Sequence, residues 1–377
     1  MRPRTGSICS RCPSFIIKVA RRSQPTSPRK AEVSEAATHS PLIGVIIPFF
    51  QRKRGLLSAC VRSILAQQGA FKVYIAIVDD ASPIPATEEL NGLLDRPEIK
   101  IVRQPNRGPG AARNTALDHL PPETDYVALM DSDDTWKPGF LQGAVTAMNY
   151  GCDLFFADSR RYEQEKSRFN WNADSALNLR SDQHKTLDPN LEIYLYQGDF
   201  FDFIVRRSNI LGPSTTIYRR SVAPDLRFSE KLFNGQDRLF KLMLCETVQK
   251  AAFTPKIYAE EGEGINIFDS AAWGSAKSLS LLGSYISLSK EILLRIRLSP
   301  SQRDHVKRHL SETRRSFAAS LLHLLLRRQA FDSSLVWKTF RNDPTTALLL
   351  LPNLLKSVVR KFNLRRNQKE TVKSSNP

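Results

Sequence analysis

The sequence predicts an α/β fold: a mostly parallel sheet flanked by helices, followed by an all-helical C-terminal segment. Three observations carry this. Between residues 42 and 160, short apolar runs alternate with amphipathic helical stretches across short loops, the pattern of right-handed βαβ units. Two acidic loops, Asp79-Asp80 and Asp131 to Asp134, each follow an apolar run. In a parallel sheet such loops emerge on one edge. From Ala276 onward the chain reads as helix after helix.

The elements follow in order. Residues 1–40 are rich in Ser, Pro and Arg without periodicity, which predicts a disordered basic tail. Leu42 to Ile47 reads as a buried strand stopped by Pro48. Leu56, Leu57, Cys60, Val61, Ile64 and Leu65 recur in adjacent pairs every four residues, one face of a helix packed on a sheet. Val73 to Val78 is the second strand, and Glu88 to Leu94 a short helix. Ile99 to Val102 is the third strand, and Ala111 to Leu120 a helix after the loop Asn106 to Gly110. Tyr126 to Met130 is too short for a stable helix and reads as a fully buried strand. Leu154 to Ala157 follows, then a long polar loop from Ser159 to Pro189. Phe200 to Val205 predicts a short helix, Pro213 to Tyr218 a strand, and Leu239 to Leu244 an apolar helix with Asp237 in its first turn. The expected organisation is a tail (1–40), an α/β domain (41–270) and a helical, basic region (271–377).

Charge narrows the function. Of the formal +17, residues 1–30 carry +8 and residues 290–377 carry +13, so residues 31–289 carry −4. The basicity belongs to the ends, which argues against specific nucleic-acid binding by the central domain. Flanking basic segments instead favour anionic surfaces. Near the C-terminus, Leu350/Leu351, Leu354/Leu355 and Val358/Val359 repeat every four residues, followed by Arg360, Lys361, Arg365 and Arg366. That combination suits a helix lying on an anionic membrane, and equally one packed against the α/β domain. No apolar run reaches the roughly 20 residues of a membrane span, and the expected location is cytoplasmic or at the inner face of a membrane. Cys60, Cys152 and Cys245 fall among apolar residues and read as core thiols. Cys9 and Cys12 form a lone C-x-x-C, and zinc would need two further ligands.

Asp131, Asp133 and Asp134 lie within four residues at a strand's carboxyl end, where open α/β sheets bind ligands. Carboxylates so close raise each other's pKa unless a cation or strong donors compensate. Mg²⁺ usually takes one or two carboxylates and leaves its other positions to water and phosphate oxygens, so a metal–diphosphate site is expected here. A dinucleotide-binding G-x-G-x-x-G is absent from the first strand–helix turn, Pro48 to Gly55. Asp131, Asp133 and Thr135 also spell the D-x-D-x-T of haloacid-dehalogenase-type phosphatases, but no convincing downstream Lys and acidic pair accompanies them. A catalytically inactive polyanion-binding protein is the remaining alternative.

Four stretches resemble the family 2 glycosyltransferases in order and spacing: Gly44 to Arg52, Ile77 to Ser82, Asn106 to Asn114 and Leu129 to Asp134. The resemblance is strong over residues 42–160, weaker to about 265, and absent beyond. It implies the GT-A fold and inverting, hexosyl-type transfer from a nucleotide-diphosphate sugar, with Mg²⁺ or Mn²⁺ as cofactor. It implies a saccharide or lipid-linked saccharide as acceptor, in polysaccharide or glycoconjugate synthesis. On this sequence, Pro48, Phe50, Asp79 and Asp80 match the nucleobase end, and Asn106, Gly108 and Arg113 a substrate-binding loop. Asp131 and Asp133 match the D-x-D element at ribose and metal, and Asp134 the neighbour of the donor sugar. The family's catalytic acidic pair is Gln236-Asp237 here, which leaves Asp237 as the expected base.

Overall fold

The computed structural model describes residues 40–354, apart from 173, 175–177 and 263–271. The basic N-terminal tail with its C-x-x-C, the boundary expected near residue 270 and the basic run from Arg360 lie outside these residues. The elements are β1 (Leu42–Phe49), α1 (Leu56–Leu65), β2 (Lys72–Asp79), α2 (Ala86–Glu89), β3 (Ile99–Arg103), α3 (Pro109–Asp118) and β4 (Tyr126–Leu129). Then come β5 (Thr135–Trp136), α4 (Phe140–Asn149), β6 (Leu154–Arg161), β7 (Lys185–Asp188), β8 (Ile193–Leu195), α5 (Phe200–Arg207), β9 (Thr216–Arg219), α6 (Gln236–Cys245) and β10 (Ala251–Glu261). Four helices close the described chain: α7 (Ala276–Arg295), α8 (Pro300–Leu326), α9 (Ser333–Asn342) and α10 (Pro344–Leu348).

The strands form one sheet in the order β3-β2-β1-β4-β9-β6-β10-β8-β7, with β5 paired to β10. The longest ladders, β1 with β2 and β6 with β10, are parallel, while β9, β5, β7 and β8 pair antiparallel with their neighbours. Strand order reverses around β1: the chain first builds outward to β3, then returns to place β4 on β1's other side. That is the switch point at which an open α/β sheet leaves a crevice beyond its carboxyl ends.

Alternation along β1 sorts its side chains to two cores. Ile43, Val45, Ile47 and Phe49 pack with Leu57, Cys60, Val61 and Ile64 of α1 and with Phe140 and Leu141 of α4. Ile46 faces the other side, with Ala112 and Ala116 of α3 and Leu239 and Phe240 of α6. Each such fully buried side chain contributes roughly 1.5–3 kcal/mol, so the two faces dominate the stability of this unit. Leu288 and Ile292 of α7 and Val306 of α8 join the second core, so α7 packs on α6 and α8 on α5, outside the sheet. A third core, with Leu279, Leu310, Phe317 and Val336, holds α7, α8 and α9 together. Buried Asp343 receives two hydrogen bonds of 2.8 Å from Arg314 and pairs with Lys290 at 3.4 Å, which pins the start of α10 to α7 and α8.

Several elements depart from expectation for identifiable reasons. Pro48 does not stop β1, which runs to Phe49. The Ile46 carbonyl accepts from Met130, so Pro48, two residues on, turns its missing donor towards the same side, where β4 has already ended at Leu129. Pro213 to Thr215 form a 3₁₀ turn ahead of β9. The polar stretch after Ser159 is partly ordered: β6 extends to Arg161, Phe169 and Leu179 are buried, and β7 lies within it. The short strands β5, β7 and β8 and the long β10 had no expectation. Pro255 interrupts β10's pattern, and the ladder with β6 shifts register between Thr254 and Ile257, where a bulge accommodates it. Cys60, Cys152 and Cys245 are buried free thiols.

Candidate active site

A cleft of about 1150 Å³ opens beyond the carboxyl ends of β1 and β4 and is closed on its far side by α6 and α7. Pro48, Phe50, Asp80, Asn106, Gly108, Arg113, Asp131, Asp133, Asp134 and Asp237 all line it. Three acids far apart in sequence, Asp80 and Asp133 from loops and Asp237 from the first turn of α6, therefore meet in one crevice.

Asp79 is not among them. Its carboxylate is turned inward, accepting from the Ser82 amide at 2.7 Å, the Ala86 amide at 2.9 Å and the Arg103 guanidinium at 3.2 Å. It holds the turn after β2. The substrate-binding role expected of Asp79 is not supported by its position, because successive strand residues point to opposite faces and only Asp80 reaches the cleft. Asp80 in turn organises the next loop. Its Oδ1 accepts from Gln104 Nε2 at 2.8 Å and the Arg107 amide at 2.9 Å, and its Oδ2 from the Gly108 amide at 2.8 Å. Gly108 has φ +86°, a left-handed conformation open to glycine at little cost, and it presents that amide just before α3 begins.

The acidic loop after β4 is built from several directions. Arg113, buried on α3, pairs with Asp131 and lies 5.5 Å from the centre of the Phe228 ring. The Ser214 hydroxyl donates to Asp134 and accepts from the Asp131 amide at 3.0 Å, while the Ser214 carbonyl takes the Trp136 indole N–H at 2.6 Å. The Gly262 amide donates to Asp134 at 2.9 Å. A methyl group on Gly262 would lie 1.9 Å from the Asp133 carbonyl oxygen, so glycine is required for β10's end to approach so closely. Gln51 joins three sheet-end loops. Its amide donates to Ser82 Oγ at 3.0 Å, its carbonyl accepts from the same hydroxyl at 3.1 Å, and its Nε2 reaches Ser132 Oγ at 3.2 Å.

Electrostatics differ across the cleft. Burial, followed by the charges of Asp133 and Asp131, pushes the Asp134 carboxyl well above the usual range, although the Ser214 bond opposes this. The same three acids, after burial, raise the Cys60 thiol behind the loop. At the other wall, burial favours a neutral Asp237, but Lys241 at 3.2 Å and then Arg113 outweigh it and hold the carboxyl below its ordinary value. Lys241 is itself buried and donates to the Leu211 carbonyl at 2.5 Å. Glu261 at the end of β10 is bonded by Arg168 and by Ser159 at 2.7 Å. Lys241, Arg168 and Glu261 carry no sequence signal of their own; they become functional candidates only through their contacts around the cleft.

The donor set suits a divalent cation. Among the described residues no three His, Cys, Asp or Glu side chains converge as a complete metal cage. Asp131 and Asp133 instead offer a partial oxygen set in a locally over-negative loop, the arrangement expected where substrate oxygens complete the shell.

The chain is similar to known glycosyltransferases and polysaccharide-biosynthesis proteins. The model described as Glycosyl transferase family 2 matches residues 44–225. The succinoglycan biosynthesis protein ExoW of Rhizobium meliloti (strain 1021) is 28% identical over 308 residues, covering 80% of this chain and 93% of that protein. The minor teichoic acid biosynthesis protein GgaA of Bacillus subtilis (strain 168) is 29% identical over 116 residues, 30% of this chain and 25% of that protein. Among solved structures, the mannosyltransferase PcManGT from Pyrobaculum calidifontis, in complex with GDP-Man and Mn²⁺, superposes with a TM-score of 0.49 at 15% identity, covering 85% of this chain and 88% of that one. This protein is a glycosyltransferase. Its residues 44–225 match glycosyl transferase family 2, which speaks for sugar transfer rather than phosphatase chemistry at Asp131 and Asp133.

Proposed function

We propose that this glycosyltransferase moves a hexosyl-type sugar, with inversion, from a nucleotide-diphosphate donor to a hydroxyl of a saccharide or lipid-linked saccharide, in the synthesis of a cell-surface polysaccharide. The observation that carries the reading is the meeting of Asp80, Asp133 and Asp237 in one cleft. The polysaccharide assignment is supported by the similarity to ExoW, a succinoglycan biosynthesis protein, and GgaA, a minor teichoic acid biosynthesis protein. Direct displacement inverts the anomeric centre and needs a base on the face opposite the leaving group. Asp237, kept ionised by Lys241 and Arg113, is that base and takes the proton of the attacking hydroxyl. Asp80 and the Asn106–Gly108 loop hold the nucleoside end. Asp131 and Asp133 would hold Mg²⁺ or Mn²⁺, which supplies charge stabilisation to the departing diphosphate. Arg113 orients Asp131 and lends positive charge to both walls.

Thermal melts with UDP-glucose, UDP-galactose, UDP-N-acetylglucosamine and GDP-mannose test this. At 100 times its Kd, a ligand specific to the folded state adds about 2.7 kcal/mol, so at least one donor should raise the midpoint with Mn²⁺ present and much less with EDTA. A flat response to all four donors would refute the reading.

The acceptor is taken to be carried on an anionic membrane, met by the C-terminal helices. Among the described residues no helix is long and apolar enough to cross a membrane. Trp337, Leu348 and Leu351 are 71%, 79% and 72% exposed, with exposed Lys338 and Arg341 on the same α9–α10 segment. Apolar side chains beside Lys and Arg are the composition of an interfacial surface. The full-length protein should sediment with phosphatidylglycerol vesicles and not with phosphatidylcholine. The triple variant Trp337→Ser, Leu348→Ser, Leu351→Ser should lose at least about tenfold in affinity. Wild-type protein that stays in the supernatant with both lipids contradicts the idea.

A further inference from the structure

The loop that leads into α6 carries features that neither the core nor the expected chemistry uses. Phe233 lines the cleft and is 65% exposed, an apolar ring left in water at the mouth of a polar site. It stands over the first turn of α3, where a methyl group on Gly108 would meet its ring at 3.5 Å. Three residues later, Gln236 is 5% exposed and its Oε1 is buried without a hydrogen-bond partner. Its Cγ would lie 3.5 Å from a methyl group on Gly110. Arg113 lies one turn after Gly110, on the same face of α3. It is also 5% exposed, and its Nη1 is likewise buried and unpaired, although its Nη2 holds Asp131. Buried polar atoms without partners are rare in folded proteins, because each forfeits its hydration. Here one is an acceptor, one is a donor, and the two residues that carry them line the cleft.

We infer that Phe233, Gln236 and Arg113 form a saccharide subsite that seats the acceptor sugar against Asp237; this rests on the glycosyltransferase reading above. A pyranose has one face of C–H groups and a rim of hydroxyls. The C–H face suits the electron-rich face of an aromatic ring, and a rim hydroxyl can donate to Gln236 Oε1 while a neighbouring oxygen accepts from Arg113 Nη1. Gln236 and Asp237 line the same cleft, so a sugar held by Gln236 can be presented to the base. The neutral amide therefore acts as a positioning residue, and the departure from the family's acidic pair becomes a specificity device: a carboxylate there would add a negative charge beside Asp237.

The test is binding of cellobiose, laminaribiose and lactose by NMR, to wild-type protein and to Phe233→Ala, Phe233→Trp and Gln236→Leu, each verified as folded by its thermal midpoint. At least one disaccharide should bind wild-type protein with upfield-shifted ring protons, the signature of an aromatic face. Phe233→Ala should abolish that shift and weaken binding at least about fivefold, Phe233→Trp should retain both, and Gln236→Leu should weaken binding while keeping the shift. In turnover assays the acceptor KM should rise more than the donor KM in Phe233→Ala. The proposal is overturned if no disaccharide binds, if binding ignores both substitutions because ordered water alone fills the site, or if the donor KM rises instead. A wild-type protein that binds a nucleotide sugar yet fails these tests loses the subsite alone; one that binds no nucleotide sugar loses the functional reading as well.

Discussion

Replacing Asp237 with Asn should lower the transfer rate by about 10³-fold, within the range for removing a positioned general base, while donor binding survives. The substitution keeps the shape of the side chain and the start of α6, so a thermal midpoint near that of wild type separates lost chemistry from lost fold. The pH profile gives a second reading. A base acts only when ionised, and Lys241 followed by Arg113 keeps the Asp237 carboxyl below its ordinary value despite its burial. The rate should therefore be flat through neutral pH and fall only in acid, below the usual carboxylate range. Lys241→Met removes the nearer cation. Asp237 then titrates at higher pH, and the acid limb should move towards neutrality. By the same linkage, the stability Asp237 gains from its depressed pKa is present above the unfolded pKa and is lost as the pH falls through the folded one. An Asp237→Asn enzyme with wild-type turnover would move the base elsewhere in the cleft.

Removal of the divalent ion should be as damaging. With EDTA, transfer should fall to background, and Mn²⁺ or Mg²⁺ should restore it. Asp133→Ala should lose at least about 10²-fold in turnover, the scale for removing one group that stabilises transition-state charge, and the remaining activity should need more metal. Asp131→Asn is expected to be more complex, because Arg113 then keeps its buried charge but loses its carboxylate partner. Comparing the two variants separates metal affinity from the orientation of Arg113. Wild-type turnover in EDTA would remove the cation from the reading.

The two halves of the site were unequally legible. Asp80, Asp131, Asp133 and Asp134 could be found because each follows directly on a strand, and the C-terminal edge of a parallel sheet gathers such residues regardless of their separation in sequence. Asp79 was read with Asp80 because adjacent acids look alike on paper; the pleat of β2 separates them, burying one behind the turn and leaving the other in the cleft. Lys241, Arg168, Glu261 and Gly262 were not legible as a site. Each is an ordinary residue whose partner lies on another element, and a pairing between β6 and β10 leaves no local pattern, least of all across the bulge at Pro255.

What the sequence determined by itself was the layered sheet, the succession of its first four strands along the chain and the edge on which the acids emerge. Strand and helix periodicity and the handedness of βαβ connections are local properties that every folded arrangement of this chain must respect. Only the tertiary structure decided which acid faces the cleft, that α6 and α7 form its far wall, and that Asp237 lies beside Lys241 and within reach of Arg113's charge. Those facts depend on long-range packing between elements that share no short-range signal, and packing is what sets burial, charge pairing and hence the chemistry each carboxylate can do.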